Sequence, residues 1–153
     1  MRPVSKKVVG PDIVVYDLGQ NASIMVQVTA SGPAGAQYRV KYAEAVRPDG
    51  RVLMPDPLLK AFETDVYSTV TLAGDQEREV RRPDFCFTSA RYIEVEGVTV
   101  PSPTGDEAER GEATCNRPTI HSITARHVSS ASRQLGFVKT DKSDVNALIK
   151  VCR

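Results

Sequence analysis

The residues best suited to chemistry cluster first in the segment Asp17-Leu18-Gly19-Gln20-Asn21. The carboxylate of Asp17 and the amide oxygens of Gln20 and Asn21 suit sugar hydroxyls or a calcium ion, which prefers oxygen ligands. Asp and Asn also accept hydrogen bonds from nearby backbone N–H groups in turns, and Gly19 permits a left-handed turn conformation. We favour the turn role and keep ligand binding as the alternative.

A second group, Arg91-Tyr92, lies in a run that ends in Ile93-Glu94-Val95. The tyrosine ring could stack on the face of a sugar, with the arginine beside it. Alternatively, Arg91 pairs internally with Glu44 or Asp17 and fixes the order of the strands. We favour the internal pair because a half-buried arginine needs an acidic partner.

Glu44 is the carboxylate most easily imagined as catalytic. Hydrolysis by acid–base catalysis needs a second carboxyl group on the other side of the bond that is cleaved. The sequence does not indicate which second carboxylate would converge on Glu44. We therefore predict no catalytic residue, and we assign structural roles to Glu44 and to two turn glycines, Gly19 and Gly50.

The cysteines and histidines form no recognisable reactive or metal-binding pattern. Cys86, Cys115 and Cys152 are widely and irregularly spaced, which predicts free thiols in a reducing compartment. A bridge between Cys86 and Cys115 remains the alternative if the chain is exported. His121 and His127 have no ligand cluster near them in the sequence and are expected at the surface. We predict no metal site and no cofactor, apart from the calcium alternative.

Composition limits the kinds of partner. The 153 residues include 20 basic and 19 acidic side chains, for a net charge of +1. This balance predicts no bulk attraction to nucleic acid or to an anionic membrane, and no apolar run is long enough to span a bilayer. The N-terminus lacks the apolar core of a secretory signal, so the sequence as it stands predicts a cytoplasmic location.

Short β-branched segments separated by turn residues predict an all-β fold. Apolar and polar residues alternate over 24–28 and 38–42, the period of a half-buried strand. Further strands are predicted at 13–16, 66–72, 77–82, 91–100 and 120–128. Long connections interrupt a simple meander, so we expect a jelly-roll-like antiparallel β-sandwich with a short C-terminal helix.

The chain divides into an N-terminal extension (1–9), a β-sandwich (10–139) with an acidic loop (101–118), and the start of a helix (140–153). The helix is indicated by apolar residues at i, i+3, i+4 and i+7, namely Val145, Leu148, Ile149 and Cys152. We expect it to lead into a following domain. Its apolar face also predicts contact with a partner, which leaves the oligomeric state open.

An ordered set of short motifs resembles the concanavalin-like β-sandwich domain of α-L-rhamnosidases of glycoside hydrolase family 78. The set covers about residues 10–150. It comprises Asp17-Leu18-Gly19-Gln20-Asn21, Gly35, Tyr42-Ala43-Glu44, Asp49-Gly50, Asp65-Val66-Tyr67, Phe85-Cys86-Phe87 and Arg91-Tyr92-Ile93-Glu94-Val95. Further on, Gly136-Phe137-Val138-Lys139-Thr140-Asp141, followed by Asn146 and Leu148, is similar to the link into the family's helical catalytic domain.

The resemblance implies an accessory role. In that family both catalytic carboxylates belong to a helical domain, so this module would support hydrolysis of terminal α-L-rhamnose only within a complete enzyme. The helical catalytic domain is then its partner, and Asp17, Gln20, Asn21, Arg91 and Tyr92 are its candidate sugar-binding residues. A stand-alone rhamnose- or glycan-binding, lectin-like module is the alternative, with its glycan specificity open.

Overall fold

The computed structural model describes residues 1–53, 66–74, 77–84, 86–100, 116–130, 133 and 136–151. Within these ranges the chain is mostly antiparallel β-sheet with one short helix, which confirms the predicted fold class. The elements are β1 (Ser5–Gly10), β2 (Ile13–Ser31), β3 (Gln37–Ala43), β4 (Ala45–Val46), β5 (Val52–Leu53), β6 (Ser68–Thr71), β7 (Glu79–Arg81), β8 (Thr88–Glu96), β9 (Thr119–His127) and α1 (Ser143–Val151).

Strand β2 organises the sheet because its 19 residues serve both layers of the sandwich. Its N-terminal half lies between β1 and β8, in the order β1-β2-β8-β3-β6. Its C-terminal half pairs with β9 on the edge that β1 also uses, and with β7 on the other edge. All of these pairings are antiparallel, and β4 with β5 forms a separate small hairpin.

A large bulge bends β2 between the two layers. Asp17 pairs with Tyr92 and Ala22 pairs with Ala90, so the four residues 18–21 of β2 lie opposite Arg91 alone. Extra residues on one strand bend it and increase its twist. Gly19 permits the bend with a φ of 81°. The segment 17–21 is therefore a bulge inside one long strand, rather than the turn that closes a short one.

Both halves of β2 contribute to a single core between the layers. The alternation predicted for 24–28 is confirmed, since Ile24, Val26 and Val28 are 0%, 2% and 3% exposed. Burying a side chain of this size stabilises the fold by about 2 kcal/mol. The remaining buried members are Val14, Leu18, Ala30, Tyr38, Val40, Leu72, Ala90, Ile93, Val95, Val98, Ile123 and Ala125.

The face of β8 opposite Ile93 and Val95 carries a buried acidic residue. Strand alternation places Glu94 on this face with Tyr92 and Glu96, and Glu94 is 1% exposed. The β4–β5 hairpin contributes Val52 to a second small apolar cluster on this side, with Val15. The sequence pattern could not show this cover because the hairpin lies far from β8 along the chain.

The ends of the chain also take up defined structure. Most of the segment set apart as an N-terminal extension forms β1, which pairs with β2 from Ser5 to Gly10. Asn146 of α1 holds the residues before the helix. Its Oδ1 accepts a hydrogen bond from Thr140 N and its Nδ2 donates to Thr140 O, both at 2.8 Å. Residues 101–115 of the predicted acidic loop lie outside the described ranges.

A buried hydroxyl leads to the first prediction. Tyr38 is 1% exposed, its Oη has no hydrogen-bond partner in the described part of the chain, and burial raises the pKa of this phenol. Removing an unsatisfied buried hydroxyl relieves its desolvation cost, so Tyr38→Phe should leave stability unchanged or raise it by up to about 1 kcal/mol. The Tyr42 hydroxyl is hydrogen-bonded to Ser68, so Tyr42→Phe should instead lose about 1 kcal/mol. Urea unfolding of both variants provides the comparison, and a larger loss for Tyr38→Phe would contradict it.

Candidate functional site

The bulge in β2 brings Asp17 against the one β8 residue that faces it. Arg91 Nε lies 2.9 Å from Asp17 Oδ1, and Arg91 Nη2 lies 3.0 Å from Oδ2, a two-pronged ion pair. The Gly19 backbone N–H also donates to Asp17 Oδ1 at 2.7 Å. Of the two partners expected for Arg91, the structure therefore selects Asp17.

The electrostatics of this pair follow from the same contacts. The hydrogen bond from Arg91 lowers the pKa of the Asp17 carboxyl, and the Gly19 N–H adds to that effect against the opposing influence of burial. The Asp17 carboxylate in turn raises the pKa of the Arg91 guanidinium. The guanidinium also lies 5.0 Å from the centroid of the Tyr92 ring, within cation–π range.

Glu44 and Asn21 meet in a second set of contacts at the surface. Asn21 Nδ2 donates to Glu44 Oε1 at 2.9 Å, and Ser89 Oγ donates to the same oxygen at 3.1 Å. Ser89 was not anticipated from the sequence. A lone serine in a strand gives no signal of such contacts, and its position follows from the pairing of β2 with β8, in which Ser23 lies opposite Ser89.

The other candidate residues lie elsewhere. Gln20 is exposed, and its Nε2 lies 4.0 Å from Met1 Sδ, a long contact. Tyr92 packs partly against the cluster of Val15 and Val52, so its ring is not wholly available to a ligand. Gly50 has a φ of 90° in the turn before β5, as a turn glycine should.

Cofactor chemistry has few candidate ligands here. In the ranges that the structure describes, no three His, Cys, Asp or Glu side chains lie close enough together to hold a metal ion. The Asp17 carboxylate already accepts hydrogen bonds from Arg91, which compete with a cation for its oxygens. Calcium binding at the bulge stays a prediction. Cys86 is an exposed free thiol, whereas Cys115, its possible partner, lies outside the described residues. His121 Nε2 lies 2.7 Å from Ser31 Oγ.

The lowered pKa of Asp17 predicts a pH signature. A carboxyl whose folded pKa lies below its unfolded value, about 3.9 for aspartate, stabilises the fold above that value and loses the effect as pH falls through the folded pKa. Asp17→Asn should therefore be less stable than the parent at pH 7, with the difference shrinking below about pH 4. Thermal unfolding from pH 7 to pH 3 measures this. A difference that stays constant with pH would contradict the assignment.

The bulge cluster is thus a surface arrangement in which each carboxylate is held by neighbouring donors. Asp17 is held by Arg91 and Gly19, and Glu44 by Asn21 and Ser89. Such contacts fix the bend of β2 against β8 and leave polar atoms at the surface.

In the described ranges, no helix has the length and apolarity needed to cross a bilayer.

Known proteins resemble this chain over most of its length. Among curated sequences, an α-L-rhamnosidase of Streptomyces avermitilis is 41% identical over 87 residues, which are 57% of this chain and 8% of that protein. The structure of S. avermitilis α-L-rhamnosidase complexed with L-rhamnose matches with a TM-score of 0.54 and 29% identity, over 79% of this chain and 10% of that one. The α-L-rhamnosidase of Dictyoglumus thermophilum supports the fold, with a TM-score of 0.57 at 20% identity over 80% of this chain and 12% of that one.

These relatives are far longer than this chain, which spans between 8% and 12% of their lengths. The model of the bacterial α-L-rhamnosidase concanavalin-like domain matches residues 7–128, and this range runs from β1 to the end of β9. The matched range contains the bulge of β2 and its partner Arg91. This chain therefore belongs to the family of bacterial α-L-rhamnosidase concanavalin-like domains.

Proposed function

We propose that this chain is a non-catalytic module that supports the hydrolysis of terminal α-L-rhamnose by a complete α-L-rhamnosidase. The proposal rests on the hydrogen bonds of the two carboxylates at the bulge. Asp17 accepts from Arg91 and Glu44 accepts from Asn21, so both are held by side chains of this chain. A glycosidase needs one carboxyl group that keeps a proton to donate. The lowered pKa of Asp17 is the opposite of that requirement.

A supporting role requires a surface for the catalytic domain. The segment that leads into α1 carries Phe137 and Val138, which are 78% and 66% exposed, and α1 carries Leu148, which is 65% exposed. Exposed apolar side chains in one segment are typical of a surface that another domain covers. We propose that this segment packs against the helical catalytic domain of the complete enzyme.

The purified chain tests the non-catalytic role directly when it is incubated with an aryl α-L-rhamnoside. We expect no release of the aryl group above the buffer blank. Glu44→Gln is the matched variant, because it removes the carboxylate that was considered as a catalytic group and keeps the size of the side chain. Turnover by the parent chain that this variant abolishes would overturn the proposal.

A second candidate is a rhamnose- or glycan-binding module. It is favoured by the exposed polar atoms of Asn21, Glu44 and Ser89 at the bulge, together with the description of the S. avermitilis relative as complexed with L-rhamnose. Calorimetric titration with L-rhamnose, with and without calcium, separates the two functions. Heat that Asn21→Ala abolishes would favour the binding module, whereas the accessory role predicts no heat at the bulge.

A further inference from the structure

A groove opens along the edge of β2 that β1 and β9 share. It has a volume of about 490 Å³, which falls in the range typical of small-molecule sites. The residues before β1 pass along β9 here, because Met1 and Ala125 exchange backbone hydrogen bonds of 2.6 and 2.9 Å. The groove is lined by the residues before β1 and by residues of β1, β2 and β9.

The charge of the groove has one sign. Arg2 and Lys6 line it, and none of the described residues that line it is acidic. Within the described ranges, Arg2 and Lys6 have no carboxylate partner, whereas Arg51 pairs with Glu94 and Glu96. Arg91 likewise pairs with Asp17. An arginine and a lysine that share a concave site attract an anionic group and can bind it through charge-assisted hydrogen bonds.

The rest of the lining suits a sugar ring. The lining also includes Ser122 and Thr124, which lie two residues apart on β9 and carry hydroxyl groups. Hydroxyl groups both donate and accept hydrogen bonds, as sugar hydroxyls do. Tyr16 contributes a partly buried aromatic ring. His121 also lines the groove, and its Nε2 lies 2.7 Å from Ser31 Oγ, a contact that orients the ring.

We infer that this groove binds an acidic sugar, a saccharide that carries a carboxylate as a hexuronic acid does. Its carboxylate lies on Arg2 and Lys6, and its hydroxyls bond the serine and threonine side chains of the groove. The choice of a sugar among anions rests on the proposed function in a carbohydrate-active enzyme, whereas the choice of an anion rests on the groove alone. The site is separate from the bulge, since no lining residue belongs to the Asp17 or Glu44 contacts.

Calorimetric titration of the full chain with a trisaccharide of galacturonic acid, and with its methyl ester, tests the inference. The ester keeps the hydroxyls and loses the charges, so it should bind at least about tenfold more weakly than the acid. Arg2→Gln and Lys6→Gln should each weaken binding of the acid by about tenfold. High salt should weaken it as well, because the pairs are exposed.

Lys7→Gln is the matched control. It removes the same charge from the neighbouring residue, but Lys7 pairs with Val15 while Lys6 pairs with Tyr16, so the two side chains leave β1 on opposite sides. The Lys7 side chain instead lies beside Gly50. We expect Lys7→Gln to bind the acid as the parent does. Circular dichroism of all three variants verifies that they fold.

The outcomes separate this inference from the proposed function. Equal affinity for the acid and its ester, unchanged binding by Arg2→Gln and Lys6→Gln, or no binding of the acid would overturn the groove assignment. Sulfate that binds as tightly as the trisaccharide would overturn the assignment to a sugar. None of these results bears on the aryl rhamnoside assay, whose positive outcome would overturn the accessory role and leave the groove intact.

Discussion

Gly74→Ala is expected to destabilise the protein by about 2–5 kcal/mol, the sum of left-handed strain and a backbone clash. Gly74 has a φ of 75°, and a Cβ added there would lie 2.2 Å from Ala34 N and 2.6 Å from Ala34 Cα. Backbone atoms cannot move aside as a side chain does. The Gly74 N–H also donates to the buried Glu79 carboxylate at 2.7 Å, so any shift of the turn disturbs that bond. Urea unfolding measures the loss.

Gly35→Ala separates the clash from the conformational strain. Gly35 has a φ of 81°, close to that of Gly74, but an added Cβ there meets nothing within 4 Å. The variant should therefore lose only the strain, about 1–2 kcal/mol. Equal losses for the two alanine variants would show that the turns at Ala34 and Gly74 do not approach closely.

Arg51→Met should cost about 3 kcal/mol, because it leaves the carboxylate of Glu94 buried without its cation. Glu94 is 1% exposed, and its Oε1 lies 2.8 Å from Arg51 Nη2. Burial alone would raise the pKa of Glu94, but the Arg51 hydrogen bond and the Val52 N–H outweigh burial and lower it. The methionine keeps most of the apolar length of arginine, so the loss reports mainly the missing charge.

Arg82→Met is the control for this ion pair. Arg82 Nε lies 3.9 Å from Asp84 Oδ1, and both side chains are more than half exposed, so the variant should change stability by less than about 1 kcal/mol. The double variant Arg51→Met/Glu94→Leu should recover part of the loss, since it removes the buried charge but leaves the Val52 N–H without its acceptor. A loss for Arg51→Met as small as that for Arg82→Met would contradict the buried pairing.

Local patterns in the sequence were enough for the strands of the core. The alternation of Ile24, Val26 and Val28 predicted a strand with one buried face, and these side chains are buried in the structure. The helix pattern at Val145 and Leu148 likewise predicted α1. Periodicity of this kind can be recognised in the sequence because the side of a strand or helix on which a side chain lies depends only on its position in that element.

The contacts of the candidate site could be predicted from the sequence only in part. The sequence offered Asp17 and Glu44 as partners for Arg91, and the register between β2 and β8 selected Asp17. Ser89 was missed because a lone serine in a strand carries no signal until its cross-strand neighbours are known. Nothing in the residue types alone indicated that it would share an oxygen of Glu44 with Asn21.

The sequence by itself determined the alternating strand at 24–28, the turn at Gly50 and, through the order of its motifs, the family. Only the tertiary structure decided that Asp17-Leu18-Gly19-Gln20-Asn21 is a bulge opposite one arginine, that Glu94 is buried, and that Arg2 and Lys6 meet His121 in a groove. The physical reason is that strand type is set by neighbours in sequence. Pairing register and the closure of two layers are set instead by contacts between residues far apart in the chain, such as the 74 positions that separate Asp17 from Arg91.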